Sequence, residues 1–140
     1  METETLRGEL IDALKAVRRL DAFGALENLL QGESLVLQFL AEHRDRAVYP
    51  SELSESLHLS RSRITMALAS LRRKGRIAME LSHKDRRRVK VFLSDEGLRL
   101  AGEKREQLER HFDRIIAGLG EEDAATLISL IGRCVQVMEE

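Results

Sequence analysis

Apolar residues recur along this chain at two different periods, and the changes of period divide it into elements. Leu6, Leu10, Leu14 and Val17, with Ile11 and Leu20 beside them, keep a helical spacing. They predict an amphipathic helix over residues 4 to 20, with a stripe that needs a partner. Gly24 and Gly32 bracket a short apolar piece, Ala25 to Leu30, and a second helix runs from about Glu33 to His43 on Leu35, Val36, Phe39 and Leu40. Pro50 marks a helix start, because its missing N–H would be unpaired in a first turn anyway. Leu53 and Leu57 form that short helix's buried face.

The next stretch, SRSRITMALASLRRKG, opens on a capping Ser60 and closes on Gly75, with Ile64, Ala67, Leu68 and Leu71 along one side. Only His58 to Ser60 separate it from the preceding helix, which is the spacing of a helix-turn-helix. The period then drops to two. Arg76 to Leu81 and Val89 to Leu93 predict two strands around the polar loop SHKDRRR, with Val89, Val91 and Leu93 facing inward. A long helix capped by Ser94 and ending near Gly118 and Gly120 follows, and a last helix starts near Glu121. The predicted order is α, α, α, α, β, β, α, α.

The fold class expected is mainly α with a small β-hairpin: a winged helix-turn-helix with N- and C-terminal dimerisation helices. Residues 1–32 form the N-terminal dimerisation helix and linker, 33–94 the winged helix-turn-helix, and 95–140 the C-terminal dimerisation helices. At 140 residues with a single Pro, the chain suits one compact helix-rich domain with helical extensions.

Charge sharpens this picture. Residues 60 to 90 hold 11 of the 23 Lys and Arg but only two acids, Glu80 and Asp85, so the window carries +9 while the rest carries −10. Such polarisation behind a net charge of −1 is the electrostatic footprint of a nucleic-acid-binding surface. Only four Phe, one Tyr and no Trp are present, which argues against the aromatic platform of a single-strand binder.

With Ile64, Ala67, Leu68 and Leu71 buried, Ser60, Arg61, Ser62, Thr65 and Met66 fall outward, and Arg63 lies at the flank. Arg can pair bidentately with guanine, and Ser or Thr can meet base edges or phosphates. Arg72 and Arg73 stand near the helix end, where a phosphate contact is expected but cations also complement the helix dipole. In the hairpin loop, Lys84, Arg86, Arg87 and Arg88 face one acid, a repulsive set unless a polyanion meets it. An Arg at such a tip can enter the minor groove, and Asp85 is expected to orient one of them.

With these residues in place, the chain resembles the MarR family of bacterial winged-helix transcription regulators from about residue 33 to the C-terminus. The family's wing pattern, Asp-x-Arg, an alternating strand and Leu-Thr-x-x-Gly, matches Asp85 and Arg87, then Val89, Val91, Leu93, Ser94 and Gly97. Its Leu-Ser-x-Ser-x-Val-Thr segment ending in Leu-x-x-x-Gly matches Leu59, Ser60, Ser62, Ile64, Thr65, Leu71 and Gly75. Met66 and Ser70 stand where many members carry basic side chains, and Arg76 where an apolar residue is usual.

The resemblance implies that Arg87 reaches the minor groove, that Ser62, Thr65 and their neighbours meet the major groove, and that the terminal helices form a two-fold homodimer. It implies a sequence-specific regulator of a pseudo-palindromic double-stranded DNA operator, most often a repressor in this family, released by a small-molecule effector. The rival reading is a winged-helix module that docks on an acidic protein partner.

Other chemistry is not indicated. His43, His58, His83 and His111 are scattered, and Glu109, His111 and Asp113 at spacings of two on a helix diverge. No phosphate-cradling Gly loop or nucleophile motif occurs, so neither an enzyme nor a cofactor or metal site is expected. Cys134, the single cysteine, sits beside Ile131, Val135 and Met138 and reads as core or interface packing. The N-terminus lacks the pattern of a secretory signal and no apolar run approaches roughly 18 residues, so a cytoplasmic protein without membrane spans is expected.

Overall fold

The computed structural model describes residues 2–84 and 87–140. Helices α1 (Thr3–Arg18), α2 (Asp21–Leu29), α3 (Gly32–Glu42), α4 (Pro50–Leu57) and α5 (Arg61–Arg73) lead into strands β1 (Ile77–Leu81) and β2 (Val89–Leu93). Helices α6 (Asp95–Leu119) and α7 (Glu121–Glu139) complete the chain. This is the expected winged helix-turn-helix between helical ends, with one correction. The apolar piece near Ala25 is part of a full helix, α2, which runs straight through Gly24.

The reason Gly24 misleads is physical. Gly weakens a helix interior by about 1 kcal/mol but does not break it when tertiary packing holds the turn. Helix α2 buries Ala22 and packs along α6, and its start has no side-chain cap to announce it.

The core belongs to the winged helix-turn-helix. Val36, Leu37 and Leu40 of α3 meet Leu53 of α4, Ile64, Leu68 and Leu71 of α5, Ile77 and Val91 of the hairpin and Ala101 of α6. Strands β1 and β2 pair antiparallel with Ile77 opposite Leu93 and Met79 opposite Val91. The period of two therefore turns Ile77, Met79, Val91 and Leu93 toward the core. Val91 also donates its N–H to the carbonyl of Val48 at 2.8 Å, which ties the segment before α4 to the wing.

The two ends are built differently. Helix α1 buries no residue, and α7 buries only Ala124. Leu6, Leu10 and Leu14 on α1, and Ile128, Ile131 and Val135 on α7, stand about half exposed or more. Cys134 is likewise exposed, so packing in the core of its own chain is excluded and burial against another surface is what remains of that expectation. No helix among the described residues is long and apolar enough to cross a membrane.

Candidate nucleic-acid interface

The turn between α4 and α5 is braced from both sides. His58 adopts a left-handed conformation (φ 55°), which ends α4 and reverses the chain within three residues. Leu59 donates its N–H to the Ser54 carbonyl at 3.2 Å, while the Ser54 hydroxyl donates to the Leu59 carbonyl at 2.6 Å. The side chain of Leu59 packs against the core. This closed ring fixes the angle at which α5 leaves α4.

Helix α5 begins as its sequence predicts. The Ser60 hydroxyl accepts from the N–H of Arg63 at 3.1 Å, and no acid occupies the first turn. Ile64, Ala67, Leu68 and Leu71 are buried, and Ser60, Arg61, Ser62, Arg63, Thr65 and Met66 are all exposed. The Thr65 hydroxyl donates to the carbonyl of Arg61 at 2.9 Å, so its proton is already committed to the helix.

The far end of α5 separates the basic residues into two kinds. Arg72 and Arg73 are exposed, and their side chains make no hydrogen bond or ion pair with any described residue. Lys74 instead pairs with Glu33 of α3 at 2.9 Å, and the Ser70 hydroxyl donates to the same carboxylate. Burial works to raise the pKa of Glu33. The hydrogen bonds from Lys74 and Ser70 and the charges of Lys74 and Arg76 outweigh it, so the carboxyl stays below its ordinary value. Lys104 of α6 reaches the buried Ser34 hydroxyl at 2.9 Å, and its pKa is lowered by burial and by Arg76 and Lys74 nearby. These contacts stitch α3, α5 and α6 together behind the outward face.

The end of α5 is then clasped to the wing. Gly75 (φ 74°) donates to the Arg72 carbonyl and Arg76 donates to the Leu71 carbonyl, which closes the helix in a Schellman motif. Ser94 caps α6 by accepting the Gly97 N–H at 3.0 Å, and its hydroxyl donates to the Gly75 carbonyl at 2.7 Å. A Cβ on Gly97 would lie 2.1 Å from the Arg76 carbonyl oxygen. The Ser-x-x-Gly spacing thus holds together three elements, the end of α5, the start of β1 and the start of α6.

Of the wing residues singled out from sequence, Lys84, Arg87 and Arg88 are described and exposed, while Asp85 and Arg86 lie outside the described residues. Ser82 receives the chain back by donating its N–H to the Arg88 carbonyl at 2.9 Å. The Arg88 guanidinium lies 3.6 Å from the centroid of the Tyr49 ring, a cation–π contact that props the base of the wing. Tyr49, Ser54 and Glu33 are the supporting residues that sequence reasoning passed over. Each acts through a partner distant in sequence or through a turn bond that has no periodic signature.

An open crevice of about 600 Å³ runs between Pro50 of α4, Thr65, Arg72 and Arg73 of α5, and Met79 of β1. A second cleft of about 500 Å³ lies between the α1–α2 junction and α6, lined by Arg18, Asp21, Asn28, Gln107 and His111 among others. Among the described residues there is no group of three or more His, Cys, Asp or Glu placed to hold a metal ion.

No family model matches the chain, and no curated protein does. Solved structures do. The chain is similar to YusO of Bacillus subtilis at 22% identity over 97% of this chain and 99% of that one, with a TM-score of 0.72. It is similar to the heme sensor PefR of Streptococcus agalactiae, solved with heme, at 23% identity over 99% and 95% of the two chains and a TM-score of 0.69. MepR of Staphylococcus aureus, a transcription regulator of the multidrug efflux pump MepA, matches at 17% identity over 99% of both chains with a TM-score of 0.67. A point mutant of MepR has also been solved bound to an oligodeoxyribonucleotide. Matches that span nearly the whole of both chains show that this protein has their fold from end to end, terminal helices included.

Proposed function

We propose that the chain is a sequence-specific double-stranded DNA-binding transcription regulator of the MarR type, acting as a homodimer on a pseudo-palindromic operator. The observation that carries this reading is the outward face of α5. The guanidinium groups of Arg61, Arg63, Arg72 and Arg73 stand exposed without partners among the described residues, while the side chains of Lys74, Lys104 and Arg46 are engaged by Glu33, Ser34 and Glu52. Cations left open on a helix-turn-helix are placed to meet phosphates and guanine edges. The exposed wing residues Lys84 and Arg87 extend the same positive surface toward an adjacent groove.

Dimerisation follows from the two ends. The apolar stripes of α1 and α7 are too extensive to stand in water, and a second copy offers the same stripes in return. Two reading heads related by a two-fold axis would engage half-sites about 34 Å apart on one side of the duplex. In the family it resembles, the usual outcome is repression. A small-molecule effector would act by binding one relative placement of the two heads better than another, and the cleft between the α1–α2 junction and α6 is the candidate site for it.

The test is binding to duplex DNA selected from a random pool by the full-length protein, comparing wild type with Arg87→Ala. The variant is expected to lose about 1–3 kcal/mol of binding free energy. An unchanged affinity removes the wing from the interface, and tight binding to an acidic protein with only weak, salt-insensitive DNA binding replaces this reading with a protein-docking one.

A further inference from the structure

Met66 is the most exposed large apolar side chain of the winged head, at 73%. On α1 and α7 exposed apolar residues form continuous stripes, which a second copy would cover. Met66 stands apart from them in the middle of a charged surface. One turn before it is Ser62, one turn after it are Ala69 and Ser70, and Arg61, Arg63, Arg72 and Arg73 lie around this spot. Thr65 and Ala69 beside it are exposed, and the Thr65 hydroxyl proton is donated to the Arg61 carbonyl.

A protein partner that covered Met66 would have to accept the surrounding cations as well, and the neighbouring +9 window favours a polyanion. In the major groove of a duplex there is one common apolar group, the C5-methyl of thymine. Methionine suits it, being unbranched and polarisable enough to pack against a methyl whose position varies with local DNA geometry.

We infer that Met66 is a specificity-determining element that packs on a thymine C5-methyl group, so that each operator half-site carries thymine opposite Met66. The inference rests on α5 being the groove-reading helix. It assigns the centre of the half-site to a methyl contact and its flanks to the arginines.

The experiment uses full-length protein and duplexes selected from a random pool. Recurrent thymines are replaced one at a time by deoxyuridine, which keeps the base pair and removes only the methyl group. At one position per half-site the replacement is expected to weaken binding about fourfold, the effect of losing one buried methyl-sized group. Met66→Ala should bind thymine and uracil duplexes equally, and Met66→Leu should keep the preference. Met66 is exposed, so both variants are expected to fold. Duplexes bound tightly by wild type with no penalty for deoxyuridine, or a penalty that persists in Met66→Ala, overturn the role of Met66 alone. Failure to select any duplex overturns the DNA-binding reading, and the inference with it.

Discussion

Replacing Gly97 by alanine should damage the molecule out of proportion to the single methyl group added. The new Cβ would sit 2.1 Å from the Arg76 carbonyl oxygen and 2.9 Å from a methyl of Leu93. Ordinary contact needs about 3.5 Å, so the start of α6 must withdraw from β1 by more than about 1 Å. That movement stretches two hydrogen bonds, from the Ser94 N–H to the Arg76 carbonyl (3.0 Å) and from the Ser94 hydroxyl to the Gly75 carbonyl (2.7 Å). Each is worth about 1 kcal/mol, and overpacking adds about 1–3 kcal/mol. Replacing a helical glycine returns at most about 1 kcal/mol. The net loss is about 2–4 kcal/mol.

Gly102, five residues on in the same helix, is the internal control. A Cβ there meets nothing within 4 Å, so Gly102→Ala should gain up to about 1 kcal/mol. Urea unfolding of both variants and wild type at one protomer concentration reads the difference, since the stability of the proposed dimer depends on that concentration. Gly97→Ala should also weaken duplex binding, because the clasp it opens fixes the wing relative to α5. A Gly97→Ala midpoint equal to that of wild type or of Gly102→Ala would refute the reasoning.

Three further outcomes are expected. Tyr49→Leu should cost about 0.5–1 kcal/mol by removing the ring face under Arg88, whereas Tyr49→Phe should be near neutral in the same unfolding assay; equal losses in both would discount the cation–π prop. Glu33 has a folded pKa held below the usual value, so its pairing stabilises the fold above the unfolded pKa and is lost as pH falls through the folded one. Glu33→Gln should therefore be less stable than wild type at neutral pH, by no more than about 1 kcal/mol for a partly exposed, screened pair, and the gap should close below about pH 4; a gap that widens on acidification would contradict this. Leu10→Asp combined with Leu14→Asp should move the light-scattering mass from twice 15.9 kDa toward 15.9 kDa, and an undiminished dimer would place the interface elsewhere than α1.

Helix α5 is legible in the sequence because its signals are local. Ser60 and Gly75 punctuate it and a 3.6-residue apolar period separates Ile64, Ala67, Leu68 and Leu71 from the exposed residues. The wing strands show for the same reason, through a period of two. Helix α2 is hidden because Gly24 mimics a break and no capping side chain marks its start. The supports of the site are hidden because they are made across the chain. Tyr49 meets Arg88, Glu33 meets Lys74, and Gly97 is glycine because of a carbonyl from Arg76. The same distinction applies to charge. Composition locates the basic window, but only the three-dimensional contacts separate Lys74, held by Glu33, from Arg72 and Arg73, which are not held.

The salt dependence of binding to a selected duplex tests most directly whether two reading heads grip one double helix. With about four phosphate contacts from each of two subunits, log K should fall against log salt with a slope near −7. A slope shallower than about −2 would mean that the basic surface of α5 and the wing does not lie on DNA.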